Sequence, residues 1–402
     1  MVANGSINVL EIICAGENAM PDNINKRFLV ADLISKGSLS DRYENLECVN
    51  FDLASGDRRG VLSLVFKAQD ILCDKTVAIK FMDPDRLADV YRLECFNREP
   101  EILKKLEGQR RCLELVDSIK SHDIIINFPG FSPVKLPCNF FALDWLDQEI
   151  DHYFNSQQDY DSYEKLMVFN KILLAVEAVH ERFVHHRDLK PDNLRAFNNV
   201  EGESIVVVID FGTAAAVETT SIKPPVTYDG PVGAGFYSSP EARMGFAGER
   251  SLGCATDIYA LGCMLYGLFN PQLIMYKQMN PEFMIANAAI NIEIFKCASI
   301  AERYVKWREI VPKFKHVLRP PPIDGMHSTL PSSIKDIISR LFLSMAEFDF
   351  SKRETSLRKI RHQVNLAMKV LLSSKAAELD RQRRKCLRLA RQAKAQRKEL
   401  HA

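Results

Sequence analysis

Six short motifs, in a fixed order along 402 residues, constrain this chain more than any other feature. They are VAIK (77–80), HRDLKPDN (186–193), DFG (210–212), SSPE (238–241), DIYALG (257–262) and KRETS (352–356). A single motif of this length occurs by chance too often to carry weight, whereas six in order are specific. The set indicates one fold that holds several charged groups at fixed positions.

Composition indicates a globular chain. With 47% hydrophobic and 26% charged residues, it can bury a full core and is expected to form two lobes. The ten cysteines are scattered without a C-x-x-C pair, which predicts reduced thiols in the cytoplasm. Residues 1–20 lack a cationic stretch, and Glu11 interrupts their apolar run. Neither a signal peptide nor a transmembrane segment is therefore expected, and we predict a cytoplasmic location.

The periodicity of apolar residues divides the chain. Alternating residues over 44–83 predict three antiparallel strands, 92–106 predicts a helix, and DIIINF and NFFALDWL predict two more strands. From about residue 160 the periods become helical. We therefore predict an α+β fold with the following parts: an N-terminal extension at 1–42, a β-rich lobe at 43–146, a helical lobe at 147–366 with an elaboration at 271–330, and a basic tail at 367–402.

The motifs suit phosphoryl transfer from ATP, which needs a cation on the phosphates, acidic metal ligands and a carboxylate that orients the nucleophile. From about residue 45 to 365, the chain resembles the eukaryotic-like (Hanks-type) serine/threonine protein kinases. The resemblance implies a bilobal fold, ATP and Mg²⁺ as cofactors, and protein substrates phosphorylated on serine or threonine.

Carried over by position, the resemblance assigns a role to each charged motif residue. Asp188 would orient the incoming hydroxyl and accept its proton, and Lys190 would steady the transferring phosphoryl group. Asn193 and Asp210 would hold Mg²⁺, and Lys80 would bind the α- and β-phosphates. In this family, a lysine at the position of Lys190 marks the serine/threonine kinases.

Lys80 requires an acidic partner, and the resemblance aligns Glu99 with it. Pro100 biases Glu99 away from helical geometry, so we expect a new helix to begin here, capped by Asn97, with Pro100 in its first turn. Two other acids are then rival partners for the lysine: Glu94 and Glu101.

The expected adenine pocket departs from the family pattern at two places. The phosphate-covering loop keeps Gly60 alone of its glycines, ahead of Val65, which predicts weaker or slower ATP binding. Arg58 and Arg59 either offset this loss or form a solvated turn. Arg195 occupies the floor under adenine, opposite Val65 and Ala78, and is expected to lay its stem on the ring and send its guanidinium to water or to an acid. Leu143 is the expected gatekeeper, and the hinge is expected at 144–146, with Asp144 and Leu146 at its ends.

Other family positions are structural or regulatory. The resemblance pairs Glu241 with Arg353 and assigns Asp257 to the backbone of the catalytic loop, while Ala234 replaces a threonine that usually bonds the catalytic groups. Arg187 would receive a phosphate from the activation loop, so autophosphorylation there is our hypothesis for control; the alternative is an active kinase without such a gate. The loop offers five acceptors: Thr219, Thr220, Ser221, Thr227 and Tyr228.

From Lys375 onward the chain carries ten basic against three acidic residues, a charge of +7 in a chain whose total is +1. The segment lacks glycine and proline from there on and is expected to be helical. Three interpretations remain: a solvated helix, a docking helix for an acidic partner or a second copy, and a contact with nucleic acid or an anionic membrane. The absence of interleaved aromatics argues against nucleic acid.

Two alternatives to a protein kinase stay open. One is a weakly active or inactive scaffold that binds partners through its tail and the 271–330 elaboration. The other is a kinase of small molecules.

Overall fold

The computed structural model describes residues 24–57, 63–126, 132–155, 159–217, 235–246, 248–274, 280–373 and 381–391. The chain divides into two compact units: Met1–Pro100 with Leu115–Trp145, and Glu101–Glu114 with Leu146–Ala402. The α+β class predicted from the sequence is confirmed, since the first unit is built on a sheet and the second mostly on helices.

The first unit is built on a six-stranded antiparallel sheet in the order β1-β2-β3-β4-β6-β5. Its strands are β1 (Ser38–Leu39), β2 (Tyr43–Cys48), β3 (Ser63–Asp70), β4 (Lys75–Met82), β5 (Leu115–Ile126) and β6 (Val134–Asp144). Residues in β3 and β4 alternate between two faces. One face packs into an apolar core that includes Phe66, Phe81 and Phe140, and the other face carries Lys80.

A helix precedes this sheet. α1 (Ile24–Lys36) buries Leu29, Val30 and Leu33 in the same core as the strands. The carboxylate of Asp85 accepts hydrogen bonds from the backbone N–H groups of Asn25 (2.9 Å) and Lys26 (3.2 Å). These are donors that a helix cannot satisfy internally. The first unit therefore includes residues that the sequence analysis assigned to an extension.

The predicted helix break at Pro100 is wrong. α2 runs without interruption over Val90–Leu106, with Pro100 inside it. An interior proline removes one helical hydrogen bond and crowds the preceding turn, at a cost of about 3 kcal/mol. Burial offsets this cost, because Phe96, Glu99 and Leu103 all lie within the protein. Tertiary packing thus overrides the local bias.

The second unit is mostly helical. Its helices are α3 (His152–Asn155), α4 (Ser162–His180), α5 (Pro240–Arg243), α6 (Gly253–Phe269), α7 (Pro281–Phe295), α8 (Ile300–Ile310), α9 (Lys335–Met345) and α10 (Leu357–Ser373). Its short strands are β7 (Gln148–Glu149), β8 (Val184–His185), β9 (Leu194–Asn198), β10 (Ser204–Val208) and β11 (Ala215–Ala216). They form a sheet in the order β10-β9-β7 and a separate pair, β11-β8.

α6 is the central helix of this unit. Among the described helices, the stretch Arg250–Phe269 is the one long and apolar enough to cross a membrane, but 94% of its apolar window is buried inside the protein. Burial of this extent is what the core helix of a folded unit shows. The 271–330 elaboration packs beside it through Trp307, which stacks on Phe348 at a centroid distance of 5.8 Å.

Residues 381–391 of the basic tail are helical, as the sequence predicted. They pack on an acidic and aromatic patch at the start of α4, which we call the α4 patch and define as Asp159, Tyr160, Asp161, Tyr163 and Glu164. Three arginines of this helix contact the patch: Arg381 lies over the Tyr163 ring (5.1 Å), Arg388 lies over the Tyr160 ring (5.0 Å) and against Glu164 (3.1 Å), and Arg391 pairs with Asp159.

Candidate active site

Lys80 and Glu99 form a buried ion pair in the first unit. Nζ of Lys80, on β4, lies 2.6 Å from Oε2 of Glu99, on α2. Glu99 is only 1% exposed. The structure thus pairs the lysine with the predicted acid and not with Glu94 or Glu101. A charge-assisted hydrogen bond of this length holds the ammonium group in one place.

The sheet face that carries Lys80 also carries the predicted adenine contacts of the first unit. Val65 lies opposite Lys80 in the β3–β4 register, and Ala78 lies opposite Leu143 in the β4–β6 register. Asp144 ends β6, and burial raises the pKa of its carboxyl group. This face therefore places apolar side chains next to the Lys80 ammonium group, and Lys67 lies further along it, opposite Ala78.

In the second unit, Asp188 is held between two neighbours from its own motif. Nζ of Lys190 lies 3.2 Å from Oδ2 of Asp188. Nδ2 of Asn193 donates to the Asp188 backbone carbonyl (2.9 Å) and reaches Oδ2 at 3.3 Å. The carboxylate is thereby oriented before any substrate binds, which is the preorganisation that catalysis requires.

Asp257 holds the backbone just before Asp188, which is the role that the resemblance assigned to it. It is fully buried on α6. Its carboxylate accepts the backbone N–H groups of His186 (2.8 Å) and Arg187 (2.7 Å). Arg187 has a φ of 69°, a strained conformation for a residue other than glycine, and the Asp257 hydrogen bonds help to hold it.

His180, at the end of α4, completes this anchor. Its Nε2 lies 2.8 Å from Oδ2 of Asp257. Although burial opposes the charged form, hydrogen bonds to Asp257 and Cys254 raise the pKa of His180 to about 9. Burial would raise the pKa of Asp257, but the hydrogen bond to His180 and the nearby imidazoles lower it. The two groups therefore form an imidazolium–carboxylate pair at neutral pH.

The hairpin of β9 and β10 brings the two predicted metal ligands to one end. Asn193 and Asp210 lie just beyond the last register pair, Leu194 with Val208, and the Ile209 N–H donates to the Asn193 carbonyl at 2.9 Å. Both side-chain hydrogen bonds of Asn193 use Nδ2, which leaves Oδ1 to ligate. Asp210 adopts a φ of 65°. One carboxylate and one amide oxygen fit the preference of Mg²⁺ for oxygen ligands.

The segment after Asp210 is tied to the HRD segment. Phe211 contacts the His186 ring edge-on at 5.1 Å, and the Thr213 hydroxyl donates to the His186 carbonyl at 3.1 Å. His186 also lies 2.9 Å, through Nε2, from the Ile209 carbonyl. The Asp188 backbone N–H donates to Nδ1 of His186 at 3.3 Å, so His186 links Asp188 directly to the residues on either side of Asp210.

Arg195 does send its guanidinium to polar partners. Nη1 donates to the carbonyls of Asp192 (3.0 Å) and Leu194 (2.9 Å), and Nη2 lies 3.4 Å from Oε1 of Glu149. Glu149 faces Arg195 across the β7–β9 register. The charge is thus satisfied within the second unit.

The predicted Glu241–Arg353 ion pair is confirmed. Nη1 of Arg353 lies 2.6 Å from Oε1 of Glu241, and Nη2 lies 3.1 Å from Oε2. Both side chains are almost fully buried. The guanidinium also donates to the carbonyls of Ala255 and Glu347. This two-pronged pair ties α5 to the segment that carries Arg353.

Several predicted positions lie outside the described residues: Gly60, Arg58, Arg59, Ala234, Thr219, Thr220, Ser221, Thr227 and Tyr228. Leu146, the end of the predicted hinge, is the first residue of the second unit's long segment. The sequence analysis missed His180 and Thr213. His180 lies six residues before His186 at the end of an apolar helix, a spacing that carries no distinct signal by itself.

Comparisons with known proteins agree with this geometry. A family model described as "Protein kinase domain" matches residues 59–370. The chain therefore belongs to the protein kinase family.

Curated relatives that the chain resembles include two named serine/threonine-protein kinases. It is 26% identical over 211 residues to serine/threonine-protein kinase pkn3 of Myxococcus xanthus, covering 52% of this chain and 35% of that protein. It is 26% identical over 237 residues to serine/threonine-protein kinase PrkC of Bacillus subtilis, covering 58% of this chain and 31% of that protein. Calcium-dependent protein kinase 27 of Arabidopsis thaliana is 26% identical over 236 residues, covering 59% of this chain and 44% of that protein. The aligned region thus spans about a third to less than half of each of these relatives.

Proposed function

We propose that this chain transfers the γ-phosphoryl group of ATP to serine and threonine hydroxyls of proteins, with Mg²⁺ as the metal. The observation that carries the proposal is the arrangement around Asp188, whose carboxylate is contacted by Lys190 and Asn193 while Asp257 holds the preceding backbone. A carboxylate held in this way is ready to orient a substrate hydroxyl and to accept its proton.

Each residue then has a chemical task. Asp188 accepts a hydrogen bond from the substrate hydroxyl and takes up its proton as the oxygen attacks phosphorus. Lys190, 3.2 Å away, balances the negative charge of the transferring group. Lys80, held by Glu99, binds phosphate oxygens of the nucleotide. Bound Mg²⁺, for which Asn193 and Asp210 supply oxygen ligands, neutralises charge on the β- and γ-phosphates.

Lys190 supports the assignment to serine and threonine. Two residues after the catalytic aspartate, it matches the serine/threonine pattern in the resemblance. The names of the relatives describe serine/threonine kinases. The activation loop offers acceptors at Thr219, Thr220, Ser221 and Thr227, so we also propose autophosphorylation there, with Arg187 binding the new phosphate.

The test is incubation of the full chain with γ-labelled ATP and Mg²⁺ beside Asp188→Asn, followed by mapping of the labelled residues. We expect label on serine and threonine of the wild type and at least about a 10³-fold lower rate in the variant. Glu309→Gln is a matched control, because it removes an exposed carboxylate on α8 whose partner, Lys306, lies outside the Asp188 cluster and the predicted ATP-binding residues. Equal labelling of wild type and Asp188→Asn would overturn the proposal.

The alternative is a scaffold with little catalysis. Two departures from the family pattern favour it. Gly60 is the sole glycine retained in the phosphate-covering loop, which weakens the positioning of the ATP phosphates, and Ala234 replaces a threonine that would help to position the catalytic groups. A scaffold would give no label in either protein, even with a generic protein acceptor, and a small-molecule kinase would label no protein. The role of the basic tail in binding an acidic partner or a second copy remains a proposal, as does the cytoplasmic location.

A further inference from the structure

His180, His185 and Cys254 form a cluster outside the phosphoryl-transfer residues. They come from the end of α4, from β8 and from the start of α6. One ligand atom from each lies within 4.8 Å of the other two, and all three residues are half-buried. Nδ1 of His180 lies 3.9 Å from Sγ of Cys254. In a tetrahedral zinc site with imidazole and thiolate ligands, the ligand atoms lie roughly 3.3–3.6 Å apart.

We propose that His180, His185 and Cys254 bind Zn²⁺. Two imidazoles and one thiol are the donors that this ion selects, whereas Mg²⁺ requires oxygen ligands. Three protein ligands leave a fourth tetrahedral position for water. Binding releases the thiol proton of Cys254 and the Nδ1 proton of His180 to solvent, and the metal takes their place.

Nδ1 of His185 supports the site independently. It is a buried polar atom with no hydrogen-bond partner among the described residues. Such an atom is costly to bury and calls for an explanation. The ring bonds to the backbone of Arg250, and since Nδ1 has no partner, Nε2 is the donor. This fixes the tautomer in which Nδ1 carries a lone pair, so a buried nitrogen of His185 is available to bind a metal ion.

His180 has the second feature of a metal ligand. Its Nε2 is bonded to the carboxylate of Asp257 at 2.8 Å, which leaves Nδ1 directed at Cys254. Metal-binding histidines commonly donate their other ring nitrogen to a carboxylate or a backbone carbonyl, because this orients the ring and raises its basicity. His180 has a carboxylate partner, Asp257, and His185 has a backbone partner, Arg250.

Gly253 provides the space for the His185 ring. A Cβ added to Gly253 would lie 2.6 Å from Cβ and 2.7 Å from Nδ1 of His185, closer than atoms in proteins approach. A side chain at this position would push the imidazole away from Cys254, the next residue. The start of α6 is therefore shaped to admit His185 beside the thiol.

The site is connected to the catalytic loop through one residue. Asp257 bonds His180 and also accepts the N–H groups of His186 and Arg187. Zinc bound to His180 would therefore stiffen the backbone next to Asp188 without contacting the substrate. This goes beyond the proposed phosphoryl transfer, and zinc binding is measured without ATP.

The experiment uses the full chain and Zn²⁺ alone. After exposure to ZnCl₂ and exhaustive dialysis, we expect the wild type to retain about one Zn²⁺ per chain, and Cys254→Ser to bind at least about tenfold more weakly. Zn²⁺ should raise the Tm of the wild type more than that of Cys254→Ser. Cys73→Ser, at an exposed thiol, is the matched control and should behave as the wild type.

Cobalt substitution tests the ligand set directly on the wild type and so does not depend on whether a histidine variant folds. Co²⁺ at this site should give the intense visible bands of tetrahedral coordination and a thiolate-to-cobalt charge-transfer band. Both should disappear in Cys254→Ser and persist in Cys73→Ser. Absence of the charge-transfer band from the wild type, or equal zinc retention by wild type and Cys254→Ser, would overturn the proposal. Because phosphoryl transfer is assayed separately with ATP and Mg²⁺, its failure is distinguishable from failure of zinc binding.

Discussion

Nζ of Lys80 lies 2.6 Å from Oε2 of Glu99, although the residue after Glu99 is a proline inside the same helix. The helix continues past Pro100 because its buried face is packed against the rest of the protein. The position of Glu99, and with it the ion pair, therefore depends on the packing of the whole of α2. Proline biases the residue before it away from helical geometry, yet Glu99 stays helical and within reach of Lys80.

The Lys80–Glu99 pair leads to the first prediction. Lys80→Met should lower the rate of phosphoryl transfer by about 10²-fold or more, because the phosphate-binding cation is lost. Glu99→Gln should lower it less, since the cation remains but is held less firmly. The double variant should be no worse than Lys80→Met, as expected for residues that act as one unit. Steady-state kinetics on the four proteins checks this, and additive losses would contradict it.

The second prediction concerns the Glu241–Arg353 pair. Arg353→Leu should reduce the free energy of unfolding by about 3–5 kcal/mol, because Glu241 then keeps a buried charge without its two-pronged partner. Urea denaturation measures this loss. Lys359→Leu, at a mostly exposed lysine 3.4 Å from Glu354, is the comparison and should change stability little. Similar losses in both variants would refute the assignment of a structural role to the buried pair.

The third prediction follows from Lys165, which is buried on α4. Burial, with Arg384 nearby, lowers the pKa of Lys165 to about 7, against a smaller opposing effect of Asp161. Its Nζ contacts the hydroxyl of Thr329 at 3.0 Å and the ring of Phe269 at 5.4 Å. Below pH 7 the ammonium is charged in both the folded and the unfolded protein, so its full burial cost is present. Between about pH 7 and 10.5 the unfolded chain binds the extra proton, and stability therefore rises with pH.

Lys165→Met should consequently be more stable than the wild type at pH 6, by on the order of 1–3 kcal/mol. The difference should shrink as the pH approaches 9, because the wild-type lysine is then neutral. Denaturation of the two proteins across this range isolates the group, since other titrations cancel in the comparison. An advantage that does not change with pH would show that packing, not charge, is responsible.

The fourth prediction concerns the basic helix at 381–391. Arg388→Ala removes both the ion pair to Glu164 and the contact with the Tyr160 ring, each worth about 0.5–1 kcal/mol. Hydrogen exchange across 381–391 should become faster by roughly 3- to 30-fold, and high salt should produce part of this effect in the wild type. Lys385→Ala is the control at a neighbouring exposed position. Unchanged exchange in Arg388→Ala would show that the helix does not rely on the α4 patch.

Much of the fold could be read from the sequence. Alternation in β3 and β4 identified the strands because one face packs into the apolar core while the other carries polar side chains such as Lys67 and Lys80. Glu241, Arg353 and Asp257 could be assigned because the resemblance specifies them by position. α1 could not be assigned, since its buried residues contact strands far along the chain, and nothing local marks them.

Site residues could be predicted where a charged or polar residue occupies a fixed position in a motif, as at Asp188, Lys190 and Asn193. Features that depend on how distant parts of the chain pack together could not be predicted. The break at Pro100 was expected because proline disfavours helix locally, and packing of Phe96 and Leu103 outweighed that preference. The His180–His185–Cys254 cluster was missed because its members are 5 and 69 residues apart in the sequence, a spacing that no metal-binding motif describes.

The position of α1 bears on how this kinase unit can be exchanged between proteins. The family match begins at residue 59, yet Leu29, Val30 and Leu33 of α1 fill the same core as Phe66 and Phe81. A recombination event that joined a foreign segment at residue 59 would carry every motif and still expose the apolar face that α1 covers. The segment that the first unit needs in order to fold therefore begins before the segment that carries the catalytic motifs. We expect that a kinase unit moved into another protein has to include α1 to fold.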